Sequence, residues 1–313
     1  MCGIAGCMDA HASQEILDKS IRAMIAPLHH RGPDDEGIWL DANSSVALGH
    51  KRLSILDLSA AGHQRMQSPS GRYVVVFNGE IYNHLALRGQ LDPKVPLTTV
   101  GERQTNWRGH SDTETLLAGF ELWGIEETVK RTAGMFALAV WDKASKKLTL
   151  ARDRIGEKPL YYGWQGNVFL FGSELKALRK NSAFRGEINR DALTLLLRHN
   201  YIPAPYSIYR DIYKLPPGTY LQVDPRERNA QPVPYWSVRE QAEQGRRQQY
   251  AGSEDQAATD LEGLIQQSLE GQMVADVPLG AFLSGGVDSS TVVALMQQLS
   301  PRPVKTFTIG FHE

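Results

Sequence analysis

Short β-rich segments separated by turn residues fill the first two-thirds of the chain, and this spacing constrains the fold more than any other feature. We expect strands over these ranges: 3–8, 37–40, 46–53, 73–77, 135–141, 147–151, 161–164 and 168–171. Helices are expected after Ser13, as an N-cap, and over 112–122. Strands this short and this close in sequence favour antiparallel pairing, so the pattern predicts two sheet layers with helices against them.

The pattern changes after residue 225, where a polar stretch rich in Gln, Arg and Glu begins. Beyond it we expect, in order, a helix over 256–270, a strand over 280–283, a helix over 289–299 and a strand over 304–309. That order is a βαβ unit, the beginning of an α/β sheet. We therefore expect a first domain over 2–225, a polar linker over 226–255 and a second domain over 256–313.

The charge balance limits the partners that the chain can bind. Its 313 residues include 34 basic and 35 acidic side chains, for a formal net charge of -1. Non-specific binding of nucleic acid or of an anionic membrane needs a basic excess or patch, so small molecules are the expected partners. Two cysteines, Cys2 and Cys7, cannot form a disulfide framework for this length, and the N-terminus lacks a signal-peptide pattern. We expect a cytoplasmic protein with no membrane span.

Cys2 is the first residue with a chemical pattern of its own. Removal of Met1 is favoured by a small second residue, and it would leave a cysteine that carries both a thiol and a free α-amine. An α-amine titrates near about pH 7.7 to 8.0, so it can accept the thiol proton and activate the nucleophile for acyl transfer. The alternative is a small hydrophobic residue at a frayed terminus. Cys7, inside the first expected strand, is predicted to pack in the core.

Asn78 and Gly79 follow the expected strand over 73–77. The amide of Asn78 and the backbone N–H of Gly79 are suited to stabilise the oxyanion that acyl transfer generates. The alternative is a type I′ hairpin turn, because Asn-Gly is the strongest short signal for one. Polar residues on the far side, such as Glu80 and Asn83, favour the site over the turn.

A glycine-rich segment, SGGVDSS at 284–290, lies between an expected strand and an expected helix. Glycines allow the backbone to approach an anion closely, and a helix N-terminus offers unpaired N–H groups. The segment lacks the Gly-Lys-Ser/Thr ending of a Walker A motif. It is either a phosphate-binding loop of another type or an ordinary strand-to-helix turn.

Several motifs in order carry a resemblance to a known family. In the first domain they are MCGIAG (1–6), RGPD (31–34), HKRLSI (50–55), FNGEIYN (77–83), SDTE (111–114), RDRIGEKPLYY (152–162) and FGSELKAL (171–178). Together they resemble the glutaminase domain of the glutamine-hydrolysing asparagine synthetases. The segment at 284–290 resembles the pyrophosphate loop of ATP pyrophosphatases, enzymes that cleave ATP to AMP and pyrophosphate.

The resemblance implies an α+β fold of four layers, αββα, of the N-terminal-nucleophile glutaminase type. A truncated α/β ATP-pyrophosphatase domain, of the adenine nucleotide α hydrolase-like class, would follow it. Family members usually continue well beyond this point to complete the second sheet. Their connection before the SDTE motif is also shorter than the loop from Leu91 to His110, so access to the pocket or an interface is expected to differ here.

The same resemblance implies roles in a glutaminase site. Cys2 would attack the side-chain amide of glutamine, and Asn78 and Gly79 would form the oxyanion hole. The residues matched to glutamine binding are Arg52, Leu53, Ile55, Glu80 and Asp112. A guanidinium suits the α-carboxylate of glutamine, and carboxylates suit its α-ammonium. Simpler explanations are a surface ion pair for Arg52 and an N-cap role for Asp112.

For the second domain the resemblance implies an ATP site. The matched residues are Leu283, Ser284, Gly285, Gly286, Asp288, Ser289, Ser290 and Ile309. Leu283 and Ile309 would contact adenosine through the main chain, the loop would surround the phosphates, and Asp288 would help to hold magnesium. ATP and Mg²⁺ are thus expected as a cosubstrate pair, with no prosthetic group.

The implied reaction converts aspartate, glutamine and ATP into asparagine, glutamate, AMP and pyrophosphate, with ammonia passing between two sites. One alternative keeps the nucleophile and changes the acceptor to a carboxylate on a sugar or a peptide. A second is a nucleotide-binding or assembly module with a vestigial glutaminase. A third is an enzyme like β-lactam synthetase, which the presence of Cys2 disfavours. The family also suggests a homodimer.

Overall fold

The computed structural model describes residues 1–91 and 107–310. The chain divides into two compact units, Met1–Val238 and Arg239–Glu313. Most of the loop from Leu91 to His110, which the sequence singles out as unusually long, lies outside the described residues. The polar linker over 226–255 stays a prediction.

Strands and short helices alternate through the first unit. In chain order its elements are β1 (Gly3–Asp9), α1 (Gln14–Ile25), β2 (Asp35–Asp41), β3 (Val46–Arg52), β4 (Met66–Gln67), β5 (Tyr73–Ile81), α2 (His84–Leu91), α3 (Asp112–Trp123), α4 (Ile125–Arg131), β6 (Gly134–Asp142), β7 (Lys147–Arg152), β8 (Tyr161–Gln165), β9 (Val168–Gly172), α5 (Leu175–Leu178), α6 (Arg190–His199), β10 (Ile212–Lys214), β11 (Thr219–Val223) and β12 (Val233–Pro234). Short 3₁₀ helices occur at Ala26–Arg31 and Ala60–Gly62.

Two antiparallel sheets face each other in this unit. The first has the strand order β10-β8-β9-β1-β3-β2, and the second has the order β12-β11-β7-β6-β5-β4. Apolar side chains from both sheets fill the space between them, among them Ile4, Leu48, Val76 and Trp141. This inner layer is the central core of the unit.

Helices cover the outer face of each sheet. Leu17, Ile21 and Ile25 of α1 are buried against the first sheet, and Leu116 and Phe120 of α3 are buried against the second. The sequence of layers is helix, sheet, sheet, helix. The predicted αββα architecture is therefore confirmed.

Alternation along each strand decides which side chains reach the inner layer. In β1, Ile4 and Met8 belong to the inner layer, whereas Ala5 and Cys7 pack under α1. Cys7 is thus a buried core residue, as expected. In β3 and β5 the same alternation puts the even-numbered residues, such as Leu48 and Val76, in the inner layer.

The strand expected over 73–77 is longer than predicted. β5 continues through Asn78, which pairs with Ala137 of β6, and through Gly79, which pairs with Phe136. The alternative of a hairpin turn at Asn78-Gly79 is therefore wrong, because the local turn signal is overridden by pairing with β6. Pattern reasoning also missed α2, α4, α6, β10 and β11.

The second unit contains α7 (Val238–Arg247), which starts at the boundary, then α8 (Glu254–Gln272), β13 (Gly280–Phe282), α9 (Val287–Leu299) and β14 (Lys305–Phe307). Strands β13 and β14 pair in parallel, so the expected βαβ unit is confirmed. Ser253 caps α8 through a 3.2 Å hydrogen bond from Gln256 N to its Oγ. No helix in the described part of the chain is long and apolar enough to cross a membrane.

Gly6 tests how tightly the inner layer is packed. A Cβ at Gly6 would overlap the ring of Phe171 and would lie 2.8 Å from Ala47 O. We expect Gly6→Ala to lower the free energy of unfolding by about 1 to 3 kcal/mol, as overpacking does in closed cores. The matched control is Gly89→Ala in α2, where a Cβ has open space and alanine favours the helix. Urea unfolding measures the free energy of unfolding of both variants. Equal values for Gly6→Ala and Gly89→Ala would contradict the close packing around Gly6.

Candidate active site

One cavity, which opens to solvent, contains every residue that the sequence assigns to the glutaminase site. It is lined by Cys2, Arg52, Leu53, Ile55, Asn78, Gly79, Glu80 and Asp112. These residues come from the start of β1, the end of β3, the far half of β5 and the first turn of α3. Chain segments far apart in sequence therefore meet at one end of the two sheets.

Strand alternation explains why three of these side chains face each other. Cys2, Arg52 and Asn78 share the parity of Ile4, Leu48 and Val76, which lie in the inner layer. The cavity is therefore the polar end of the space between the sheets, next to the apolar core.

The thiol of Cys2 is held beside the backbone of Leu53. Leu53 N donates to Cys2 Sγ at 3.4 Å, and the thiol lies 3.6 Å from Leu53 O. Burial raises the pKa of the Cys2 thiol. The carbonyl of Cys2 accepts a 2.9 Å hydrogen bond from Arg31 Nε. A neutral thiol in a fixed position needs a nearby base to become a nucleophile.

The side chain of Asn78 is fully buried, and neither its oxygen nor its nitrogen has a hydrogen-bond partner among the described residues. Buried amides nearly always have partners, so this amide is available to a group that enters the cavity. At Gly79 a Cβ would overlap Met135 O and would lie 2.7 Å from Phe136 Cα. Glycine is required there by the close approach of β6, not by a turn.

Arg52 is the last residue of β3, and the loop that follows β3 surrounds its guanidinium. Its Nη2 donates to Leu56 O at 3.2 Å and to Asp57 O at 2.6 Å. A Cβ at Gly62 would overlap this nitrogen, so the loop fits closely around the guanidinium. No carboxylate in the described ranges forms an ion pair with Arg52, and the surface ion-pair alternative is therefore wrong.

Two carboxyl groups lie in the same cavity as this guanidinium. Asp112 is the first residue of α3, and its Oδ2 accepts a 2.9 Å hydrogen bond from Ile81 N of β5. Burial raises the pKa of Asp112 to about 6. Burial and the charge of Asp112 also raise the pKa of Glu80. The alternative that Asp112 is the N-cap is wrong, because Ser111 Oγ accepts from Glu114 N.

Other lining residues had no predicted role. Gln64 donates from Nε2 to Thr113 Oγ1 at 2.6 Å, and Lys158 is buried with its ammonium beside Met1. Lys158 lies inside the motif at 152–162, and its place in that motif could have indicated a role in the site. His50 was also missed as a supporting residue, although it lies in the motif at 50–55. Its buried ring is 2.8 Å from Phe77 O, and burial lowers its pKa to about 4.

In the second unit the predicted ATP residues lie around the carboxyl ends of β13 and β14. Leu283 and Ile309 follow these strands, and Thr308 Oγ1 donates to Leu283 O at 2.7 Å. Gly285 has a φ of +81°, a conformation that favours glycine. Helix α9 then begins with Gly286 as its N-cap, and Asp288 lies in its first turn. The helix starts two positions before the predicted residue 289.

The serines of this loop also contact each other. Ser284 Oγ lies 3.1 Å from Ser289 Oγ, and Ser289 Oγ donates to Gly286 O at 3.1 Å. In the described part of the chain no group of three or more His, Cys, Asp or Glu side chains could hold a metal ion.

Comparison with known families decides which kind of protein this is. Residues 1–236 match the family described as glutamine amidotransferase domain. The chain belongs to the glutamine amidotransferase family. Residues 260–313 match the family described as asparagine synthase, so the resemblance found in the motifs is confirmed.

Individual relatives agree with the family. The chain is 36% identical over 332 residues to a Methanocaldococcus jannaschii protein named provisionally as asparagine synthetase (glutamine-hydrolysing) 2, with 99% of this chain and 60% of that protein covered. It is 33% identical over 329 residues to Bacillus subtilis asparagine synthetase (glutamine-hydrolysing) 1, with 100% of this chain and 46% of that protein covered. The chain thus spans about half the length of these relatives.

A solved structure supports the fold of the first unit. The glutamine phosphoribosylpyrophosphate amidotransferase of B. subtilis, in complex with ADP and GMP, is similar with a TM-score of 0.50 at 16% identity. The similarity covers 75% of this chain and 49% of that one. The N-terminal-nucleophile fold of this glutamine amidotransferase is therefore confirmed.

Asp112 should lower the stability of the folded protein at neutral pH. Its folded pKa is raised above the ordinary value of 3.8 to about 6, so the ionised form is disfavoured by folding. The cost is complete above pH 6 and disappears as pH falls towards 4. We expect Asp112→Asn to be more stable than the wild type by roughly 1 to 3 kcal/mol at pH 7.5, and by much less at pH 4. Chemical unfolding at both pH values measures this.

The matched control is Asp142→Asn, which should act in the opposite direction. Burial alone would raise the pKa of Asp142, but hydrogen bonds from Arg72, Ser145 and Ala144 lower it to about 2. Its ionised form therefore stabilises the fold, and the variant should lose stability at pH 7.5. A destabilised Asp112→Asn at neutral pH would contradict the account of Asp112.

Proposed function

We propose that the first unit hydrolyses glutamine to glutamate and ammonia, with Cys2 as the nucleophile. The observation that carries this proposal is the buried amide of Asn78, which has no hydrogen-bond partner among the described residues and lies in the same cavity as the Cys2 thiol. A buried amide without a partner costs stability, and stabilisation of a substrate oxyanion gives it a use. Membership of the glutamine amidotransferase family supports the choice of substrate.

The reaction begins when Met1 has been removed. The α-amine of Cys2 takes the thiol proton, and Sγ attacks the side-chain carbonyl carbon of glutamine. Asn78 Nδ2 and Gly79 N–H donate to the oxyanion. The proton then passes to the leaving nitrogen, the C–N bond breaks, and ammonia departs from a thioester on Cys2. Water attacks that thioester through a second oxyanion, and glutamate leaves with the thiol restored.

The charges of the cavity suit the rest of glutamine. Arg52, held only by carbonyl groups in the described ranges, binds the α-carboxylate. Glu80 and Asp112 bind the α-ammonium. The main chain at Leu53 and Ile55 completes the pocket. This arrangement explains selection of an amino acid over a simple amide, because a substrate without both charges leaves buried ions unpaired.

We also propose that the whole protein is a glutamine-dependent asparagine synthetase. In this proposal ammonia attacks an aspartate that ATP has activated as β-aspartyl-AMP, and asparagine, AMP and pyrophosphate are released. The names of the relatives and the asparagine synthase match over 260–313 support it. The chain spans 60% and 46% of those two relatives, so synthetase activity is proposed for the whole protein and glutamine hydrolysis for the first unit.

The ATP site of this proposal is the loop between β13 and α9. Its residues are Leu283, Ser284, Gly285, Gly286, Asp288, Ser289, Ser290 and Ile309. Mg²⁺ bound to ATP is held in proteins by one or two carboxylates together with the phosphates, so Asp288 alone fits that demand. The ion would neutralise charge on the phosphates. A cytoplasmic location, a homodimer and the division at 226–255 belong to the same proposal.

The first test is glutamate release from glutamine by this 313-residue chain after mass spectrometry has confirmed loss of Met1. We expect release by the wild type and loss of release in Cys2→Ala, because the nucleophile is gone. Cys7→Ala is the control, since Cys7 is a buried thiol under α1. Release that persists in Cys2→Ala, or a folded wild type with no release, would contradict the proposal.

The second test concerns the oxyanion hole. Asn78→Ala should lower kcat by roughly 100- to 1000-fold with little change in KM, because the lost hydrogen bond forms in the transition state. The variant should keep wild-type stability or gain some, since it removes a buried amide that has no partner in the described part of the chain. A drop in kcat of less than about tenfold would rule out Asn78 as an oxyanion donor.

A further inference from the structure

Lys158 is a buried lysine whose ammonium has no ion-pair partner among the described residues. Its side chain is 4% exposed and lines the cavity with Cys2 and Glu80. Among the described residues no carboxylate lies within ion-pair distance of Nζ, and its one hydrogen bond, at 3.3 Å, goes to Met1 Sδ. A thioether is a weak acceptor, and it is lost when Met1 is removed. Buried lysines are rare unless they are paired.

The loop that carries Lys158 is built to hold it in place. Lys158 N donates to Asp153 Oδ2 at 3.0 Å, and Lys158 O accepts from Arg152 Nε at 2.7 Å. The other carboxylate oxygen of Asp153 accepts from the backbone of Gly156 and Glu157. Both sides of the residue are thus fixed by side chains of the same motif. The backbone of Lys158 is therefore held on both sides, and its Nζ lies 3.3 Å from Met1 Sδ at the N-terminus.

We propose that Lys158 is a positioning residue that keeps the α-amine of Cys2 unprotonated, and so able to accept the thiol proton. This inference rests on the proposed glutaminase. When Met1 is removed, the α-amine begins one residue deeper in the chain, at the residue whose thiol lines the same cavity as Lys158. A positive charge next to an amine disfavours its ammonium form. Lys158 acts through the amine and need not touch glutamine.

Other charged groups near the N-terminus also change the pKa of the terminal amine. At Met1, burial lowers the pKa of the terminal ammonium, and Arg31 and Lys158 lower it further, whereas the charges of Cys2 and Glu80 raise it. Arg31 already donates to Cys2 O and to Glu174 Oε1. Lys158 has no such fixed partner in the described part of the chain. Burial lowers the pKa of Lys158 itself, and the charges of Glu80, Glu157 and Asp153 act against that shift.

The sign of the pH effect follows from the role of the amine as a base. Activity rises with pH as the α-ammonium loses its proton, and a nearby cation moves that rise to lower pH. In Lys158→Met the acid limb of kcat should shift upward by about 0.5 to 1 pH unit. At pH values below the acid limb, the kcat of the variant should therefore be about 3- to 10-fold lower than that of the wild type. Near pH 9 the two kcat values should be equal. We choose kcat because protonation of Asp112 acts on binding of glutamine.

Two further variants separate charge from other roles. Lys158→Arg keeps a permanent cation and should keep the wild-type limb, whereas an inactive Lys158→Arg would mean that Lys158 itself exchanges the proton and would overturn the inference. Lys19→Met removes an exposed lysine of α1 and is the control for a general change in charge. An unshifted limb in Lys158→Met would also overturn the proposal.

A readout without turnover distinguishes failure of this inference from failure of the proposed function. In Cys2→Ala, with Met1 confirmed absent, the α-amine lies at the same position and its acetylation rate against pH reports its protonation. Adding Lys158→Met should raise the apparent pKa of that amine by about 0.5 to 1 unit. An unchanged amine overturns the inference even if the wild type releases glutamate. A shifted amine supports it even if glutamate release fails.

Discussion

The pairing of β5 with β6 at Asn78 and Gly79 is the constraint on which the candidate site depends. The ladder runs without interruption from Tyr73 opposite Asp142 to Ile81 opposite Gly134. Only glycine fits opposite Phe136 at this distance, and the continued alternation then turns the Asn78 side chain towards the inner layer. The same alternation in β1 and β3 brings Cys2 and Arg52 to that layer. A bend at Gly79 would remove the amide from the cavity that contains the Cys2 thiol.

Three groups of the candidate site lower the stability of the fold. The amide of Asn78 has no partner in the described ranges, the carboxyl of Asp112 is ionised only against a burial cost, and the ammonium of Lys158 faces a thioether. Each of these groups is expensive in a folded core and has a use in the proposed glutaminase reaction. The apolar layer behind them, from Ile4 to Trp141, supplies the compensating stability. Fold and site thus share the space between two sheets.

Much of this arrangement can be predicted from the sequence, for reasons that differ between residues. Short strands with regular turns predict the two sheet layers, and the motifs predict that Cys2, Arg52 and Asp112 belong to the site. The strand through Asn78 was missed because Asn-Gly is a local turn signal, while its pairing depends on β6, more than fifty residues later. Lys158 was missed because its burial depends on the fold of the loop after β7. Helix α6 was missed although its sequence carries a helix signal, because Asn189 is a good N-cap residue and accepts from the backbone of Asp191 and Ala192.

Covalent capture by a glutamine analogue tests the central claim most directly. In the proposed site, Cys2, Asn78 and the charged residues around them bind glutamine together, and the thiol of Cys2 is reactive. A diazo-ketone analogue of glutamine should add to one residue, Cys2, as read by peptide mass spectrometry, and free glutamine should slow the addition. Addition to Cys7, equal addition in the presence of glutamine, or no addition to a folded chain that lacks Met1 would contradict the account.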